Sequence, residues 1–184
     1  MSARLQVAIE GHVAEVMLNR PAKLNALDVD TFVALDAAAR SIGGNRSVRA
    51  VVLYGAGENF CSGIDLKALA AGGKKVAATL LRPVEGSAAN LAQRAAYAWR
   101  ELPVPVICAV HGVAFGGGFQ VAMGADLRYA APDAQFSIME SKWGLIPDMA
   151  ISATLRGIVA PDRVKELAFL AEVFGAEEAA RIGA

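Results

Sequence analysis

Between Glu101 and Asp126 the chain carries no Asp, Glu, Lys or Arg, and within that stretch stand three consecutive glycines, Gly116, Gly117 and Gly118. The first half, Val104-Pro105-Val106-Ile107-Cys108-Ala109-Val110, is apolar and rich in β-branched residues, the composition of a strand buried on both faces. It turns at Gly112, and the apolar segment after Gly118 reads as a helix. The stretch is long enough to span a membrane, but Pro103, Pro105 and the glycine triplet argue against one continuous helix. Strand, loop, helix is the reading. Three adjacent glycines remove every Cβ at one place, as required where the backbone takes positive φ or another group approaches closely. At a helix start, free N–H groups and the positive end of the dipole would favour an acceptor oxygen there.

The rest of the chain repeats that alternation. Residues 4–9 and 12–19 predict a β-hairpin split at Glu10-Gly11, and Val29, Phe32, Leu35 and Ala39 fall at helical spacing behind Asp28 as N-cap. Val48 to Tyr54 reads as a buried strand. Residues 68–100 differ in character: 68–78 are low in complexity and predict a mobile segment, Ala88 to Glu101 predicts a helix, and the stretch from Leu69 to Gln93 is a candidate lid. Strands follow at 126–130 and 135–139, the second delivering Glu140, then a loop at 144–148 and helical patterns at 149–158, 162–171 and 176–182. The expected fold is α/β in a single domain over 1–184. The last helical pattern stops at Ile182-Gly183-Ala184, so the C-terminal helical region reads as incomplete.

Composition removes several functional classes. Lys plus Arg and Asp plus Glu both number 18, so no electrostatic footprint points to nucleic acid or an anionic membrane. Cys61 and Cys108 lie inside apolar runs with no paired spacing, which predicts reduced, packed thiols, no metal site and a cytoplasmic protein. Residues 1–10 lack the apolar core of a signal peptide.

Among short motifs, Gly55-Ala56-Gly57 follows a strand but lacks the third glycine of a dinucleotide fingerprint. Ser62 lacks the glycine at position 60 that a nucleophile elbow needs, and His111 reads as structural. Two loops remain, 60–67 and 112–118, each after a predicted buried strand. In a parallel sheet both would open at one edge, where ligands bind. One backbone N–H from each would make an oxyanion hole, or the glycines would serve only tight turns; the residues alone leave both open.

Taken together, Asn19-Arg20-Pro21 with Asn25-Ala26-Leu27, Val48 to Leu53, Phe60-Cys61-Ser62-Gly63-Ile64-Asp65-Leu66-Lys67, His111 to Gly118, and Ala134-Gln135-Phe136 with Glu140 and Gly144 to Pro147 resemble the crotonase, or enoyl-CoA hydratase/isomerase, superfamily. They occur in that family's order and cover almost the whole chain. The resemblance implies a spiral of repeated β-β-α units binding acyl-CoA thioesters, with no cofactor beyond the coenzyme A of the substrate, and a homotrimer or dimer of trimers. It implies an oxyanion hole from the N–H groups of Ile64 and Gly117, and substrate contacts at Lys23, Ala26, Asp65, Leu66, Lys67 and Gly116. For Lys23 and Lys67 the plain alternative is solvation.

The resemblance also implies a departure. Hydratases carry glutamate where this chain has Gln120, three residues after Gly117, and an amide neither takes up nor delivers a proton at neutral pH. Glu140 matches the second catalytic glutamate, and Asp148 the aspartate of dienoyl-CoA isomerases. Double-bond isomerisation by Glu140 and Asp148 is therefore the leading expectation. Hydration through Glu140 with a water set by Gln120, or a catalytically silent acyl-CoA-binding protein, stand as alternatives. Without the resemblance, Asp148 after Pro147 reads as a helix cap and Glu140 as a solvated strand end.

Overall fold

The computed structural model describes residues 4–184. Along the chain the elements are β1 (Leu5–Glu10), β2 (Val13–Leu18), α1 (Val29–Gly43), β3 (Ala50–Gly55), α2 (Leu66–Leu80), α3 (Leu91–Arg100), β4 (Val106–Val110) and β5 (Val113–Phe115). They continue with α4 (Gly117–Ala122), β6 (Leu127–Ala130), β7 (Gln135–Ser137), α5 (Ile151–Thr154), α6 (Pro161–Leu170), β8 (Phe174–Gly175) and α7 (Ala176–Ile182). Short 3-10 turns cover Pro21–Lys23 and Glu140–Trp143.

The main sheet has the order β1-β2-β3-β4-β6; the β1–β2 hairpin is antiparallel and every later pairing is parallel. A smaller sheet, β5-β7-β8, lies beyond it and is joined by a parallel bridge between Cys61 and Ala114. The expected spiral is thus present: β3 leads to the Cys61 bridge and α2, β4 to β5 and α4, and β6 to β7. Each unit places its first strand in the large sheet and its second beside the preceding unit's second strand.

One face of the main sheet holds the core, with Ala14, Val16, Leu18, Val51, Leu53, Val106, Cys108 and Val110 all at 2% exposure or less. Ala50, Val52 and Tyr54 of β3 and Ile107 and Ala109 of β4 are only half-buried, so both strands alternate and the expectation of burial on both faces fails for β4. Phe32, Leu35, Ala39 and Ile42 of α1 and Trp99 of α3 pack into the same core. Their helices start where side chains supply the missing acceptors. Asp28 takes the Thr31 N–H at 3.0 Å, and Asn90 and Gln93 form a reciprocal capping box that moves the start of α3 to Leu91.

The segment expected to be mobile forms the helix α2, an element that was not expected there. Asp65 caps it through the Ala68 N–H at 3.1 Å, and the helix is broken at Gly73, where φ is 47° and ψ −135°. The pattern at 149–158 shortens to the single turn of α5, and β8 joins β7 antiparallel in a stretch for which no element was expected. Among the described residues no helix is long and apolar enough to cross a membrane.

Candidate active site

Two backbone segments are pressed together at the edge where β3 and β4 end. Phe60 N–H donates to the His111 carbonyl at 2.8 Å, Cys61 N–H to Val113 at 2.9 Å, and Phe115 N–H to Cys61 at 3.0 Å. A Cβ at Gly118 would lie 2.3 Å from the Cys61 carbonyl oxygen, so that glycine is required by the protein's own backbone. The acceptor oxygen nearest this part of the triplet is internal. Gly63 takes φ +93°, and a Cβ there would sit 2.7 Å from the Phe115 oxygen and 3.3 Å from the Gly117 nitrogen. The loop before Ile64 and the start of α4 are therefore almost in contact.

That contact sets two N–H groups. Ile64 bridges Leu27 through bonds on either side of itself, Leu27 N–H to Gly63 O at 2.8 Å and Asp65 N–H to Leu27 O at 2.9 Å, which turns the Ile64 N–H away from Leu27. Gly117 opens α4, where an N–H has no acceptor in its own helix. Ile64 and Gly117 both line a cavity of about 210 Å³ walled by Phe32, Leu69, Leu80, Leu145 and Met149, and both also line an adjoining cavity of about 110 Å³.

The same larger cavity is lined by Gln120, Glu140 and Asp148. Glu140 opens a 3-10 turn just past β7 and is 9% exposed. Gln120, at 1% exposure, donates from Nε2 to Glu140 Oε1 at 2.6 Å. Gln120 Oε1 and Glu140 Oε2 are both buried without a hydrogen-bond partner among the described residues. Burial pushes the Glu140 carboxyl above the usual carboxylate range, and the charge of Asp148 adds to the rise. The N–H groups of Glu140 and Met139 and the Gln120 amide pull the other way.

Asp148 is exposed on the cavity rim and caps no helix: α5 is preceded by Ala150, at φ +68°, with no side-chain cap. The helix-cap reading of Asp148 is thereby corrected. Glu140 is no solvated strand end either.

Residues 8–184 match the model of the enoyl-CoA hydratase/isomerase family. The chain belongs to that family. Similar relatives include the peroxisomal Δ3,5-Δ2,4-dienoyl-CoA isomerase of Arabidopsis thaliana, 33% identical over 95% of this chain and 64% of its own length. The short-chain-enoyl-CoA hydratase of Clostridium acetobutylicum is 36% identical over the same shares, and the carnitinyl-CoA dehydratase of Escherichia coli K12 is 37% identical over all of this chain and 67% of its own. The crystal structure of enoyl-CoA hydratase from Bacillus anthracis superposes with a TM-score of 0.87 at 29% identity, covering 98% of this chain and 67% of that one. This enoyl-CoA hydratase/isomerase family member therefore spans about two thirds of the length of these relatives.

The remaining predicted residues of the family member divide. Gly116 lies against Glu140, 3.4 Å from its Oε1 to the place a Cβ would take, and Leu66 lines the smaller cavity. Lys23 and Lys67 are exposed and lie outside the lining of these two cavities. Ala26 is buried, its carbonyl oxygen accepting from Arg20 Nη1. The Asp65 carboxylate turns inward, capping α2 and accepting from Arg20 Nη2 at 3.2 Å.

Arg20 is the residue whose role sequence reasoning missed. It reaches Asp28 at 3.3 Å and Asp65 at 3.2 Å, joining the caps of α1 and α2. Its signals were the Asn19-Arg20-Pro21 motif and the predicted cap Asp28; Asp65 was not read as a cap. His111 Nε2 lies 2.9 Å from the Gly57 carbonyl oxygen, in keeping with the structural reading. Both cysteines are buried free thiols, and burial pushes Cys61 up to about 12.

Proposed function

We propose that this chain acts on acyl-CoA thioesters and moves a double bond in an enoyl or dienoyl chain. The observation that carries the reading is the convergence of Ile64, Gly117, Glu140 and Asp148 on one apolar cavity. The thioester oxygen would accept from the Ile64 and Gly117 N–H groups, so that loss of a proton from the adjacent carbon gives a stabilised enolate; each such donor is worth about a hundredfold to a thousandfold in rate. Glu140, pushed upward by burial, suits delivery of a proton to the far carbon, and Asp148 removal of one beside the carbonyl. One proton leaves the chain and one returns, so the product is an isomer. Coenzyme A arrives as part of the substrate. The relative named as a dienoyl-CoA isomerase supports this choice, and the one named as a hydratase supports the second.

The second reading, hydration of a 2-enoyl thioester, is favoured by one observation. The unpartnered Gln120 Oε1 and Glu140 Oε2 are two acceptors that a water could satisfy together. Incubation with 3,5-dienoyl-CoA and with 2-enoyl-CoA separates the two by absorbance. A red-shifted conjugated band marks isomerisation, and loss of the enoyl band marks hydration. Asp148→Asn abolishes isomerisation under the first reading; hydration that persists in that variant, with no dienoyl turnover in the parent, replaces it with the second. We further propose a homotrimer or a dimer of trimers, supported by exposed Phe169, Leu170 and Val173 and checked by light scattering.

A further inference from the structure

Gln120 sits one turn inside α4 with its side chain in a cavity otherwise walled largely by Phe, Leu, Ile and Met. A buried amide there is costly unless both its ends are bonded, and only one is. Its single partner is Glu140 Oε1. We infer that Gln120 is a positioning residue for Glu140, holding Oε1 and leaving Oε2 as the oxygen that exchanges the proton.

The chemistry of the amide supports the assignment. An N–H bonded to Oε1 keeps the proton off that oxygen, so a protonated Glu140 carries it on Oε2 and an ionised one presents its free lone pairs there. The amide does not titrate, so the orientation holds whatever the protonation state of Glu140. A carboxyl at position 120 would behave differently, because two acids at hydrogen-bond distance share one proton and titrate as a pair. The amide also moderates what burial does, since a donor on Oε1 favours the anion. Asp148, across the cavity, is the one side-chain charge that acts on Glu140, and it acts in the opposite sense. On the α4 side, Gly116 and Gly117 bring no side chain to the carboxylate.

The role of Gln120 rests on Glu140 being the proton carrier proposed above, but its test does not depend on turnover. Protein labelled with carbon-13 at the glutamate side-chain carboxyl is titrated by NMR, the Glu140 resonance being the one missing from Glu140→Gln. In Gln120→Met, similar in shape but without a donor, the Glu140 midpoint rises by about one pH unit, the tenfold change expected for loss of one hydrogen bond to a charged group. In Gln120→Glu, which keeps the protein testable if the methionine variant fails to fold, Glu140 titrates in two coupled steps, one below and one above the parent midpoint. An unmoved single midpoint in either folded variant overturns the inference. A shifted midpoint in a protein that turns over neither thioester leaves standing that Gln120 sets which oxygen of Glu140 is protonated and removes the proposed activity. In an active enzyme, the acid limb of kcat/KM moves with the NMR midpoint.

Discussion

The floor and the cover of the cavity are built on opposite terms. The floor, residues 59–65 against 111–118, is held by backbone bonds on both sides and tolerates no extra atom at Gly118. The cover, α2, buries only Leu80, is interrupted at Gly73 and contributes Leu69, Ala77 and Leu80 to the cavity wall. A rigid floor fixes where charge develops, while a loosely seated cover leaves the apolar end of the cavity adjustable. Reaction type should thus reside in the floor and acyl preference in the cover.

Replacing Glu140, whose carboxylate lies against Gly116 of the floor, by Gln tests most severely the chemistry that the floor supports. Isomerisation should fall by about a hundredfold to ten-thousandfold, the range for loss of a positioned proton carrier, as measured by initial rates. Stability should move the other way, rising on the order of 1 kcal/mol at neutral pH as a buried, unpartnered oxygen loses its charge. The sign follows from the raised native value. The parent's contribution from Glu140 is complete below the unfolded carboxylate range and is lost as pH rises through the native one, so the two urea curves should converge in acid.

Gly118→Ala strikes the floor's geometry. Its Cβ would meet backbone rather than a flexible side chain, and a loss of about 3 kcal/mol or more is expected by denaturant unfolding. A folded, active Gly118→Ala protein would show that the floor yields after all.

Arg20→Met addresses the joint between the regions, since Arg20 holds the caps of both α1 and α2. About 2 kcal/mol should be lost. The backbone N–H of Ala68 and then Arg20 hold Asp65 below its usual range; at Asp28, burial is outweighed by Thr31, Arg20 and Arg4. Stability from these carboxylates is present above their unfolded values and lost as pH falls through the lowered native ones. The variant should therefore begin to unfold at a higher pH than the parent in an acid titration.

The cover should give the smallest energetic response. Gly73→Ala places a side chain at a φ of 47° in open space, a strain of about 1 kcal/mol, and should alter acyl-length preference more than turnover of a short substrate. Limited trypsin should cut the parent first at Lys74 or Lys75, the exposed pair beside the break. First cleavage within the floor would invert the comparison.

Much of the floor and of what flanks it was legible because it rests on local rules. Gly-rich loops after apolar strands, Asp28 before a helical pattern and Gln120 one turn behind Gly117 are features of spacing. The helix of the cover was missed because its Ala, Gly and Lys composition resembles a linker; what makes it helical is the Asp65 cap and the cavity that Leu69 and Leu80 can reach. Asp148 was ambiguous for a related reason. Whether a carboxylate after proline caps a helix depends on where that helix begins, and α5 begins behind Ala150.

The sequence by itself determined most of the strands and helices, the two loops that meet, and the residue types that could carry chemistry, because periodicity, glycine and capping act over a few residues. Only the tertiary structure decided which groups face one another. It set Glu140 against Gln120 across 20 positions of chain, made Arg20 the link between two caps, and filled the space at Gly118 with the Cys61 carbonyl. Those outcomes depend on how parallel strands stack their ends into one edge, and that juxtaposition is long-range packing that no local pattern encodes.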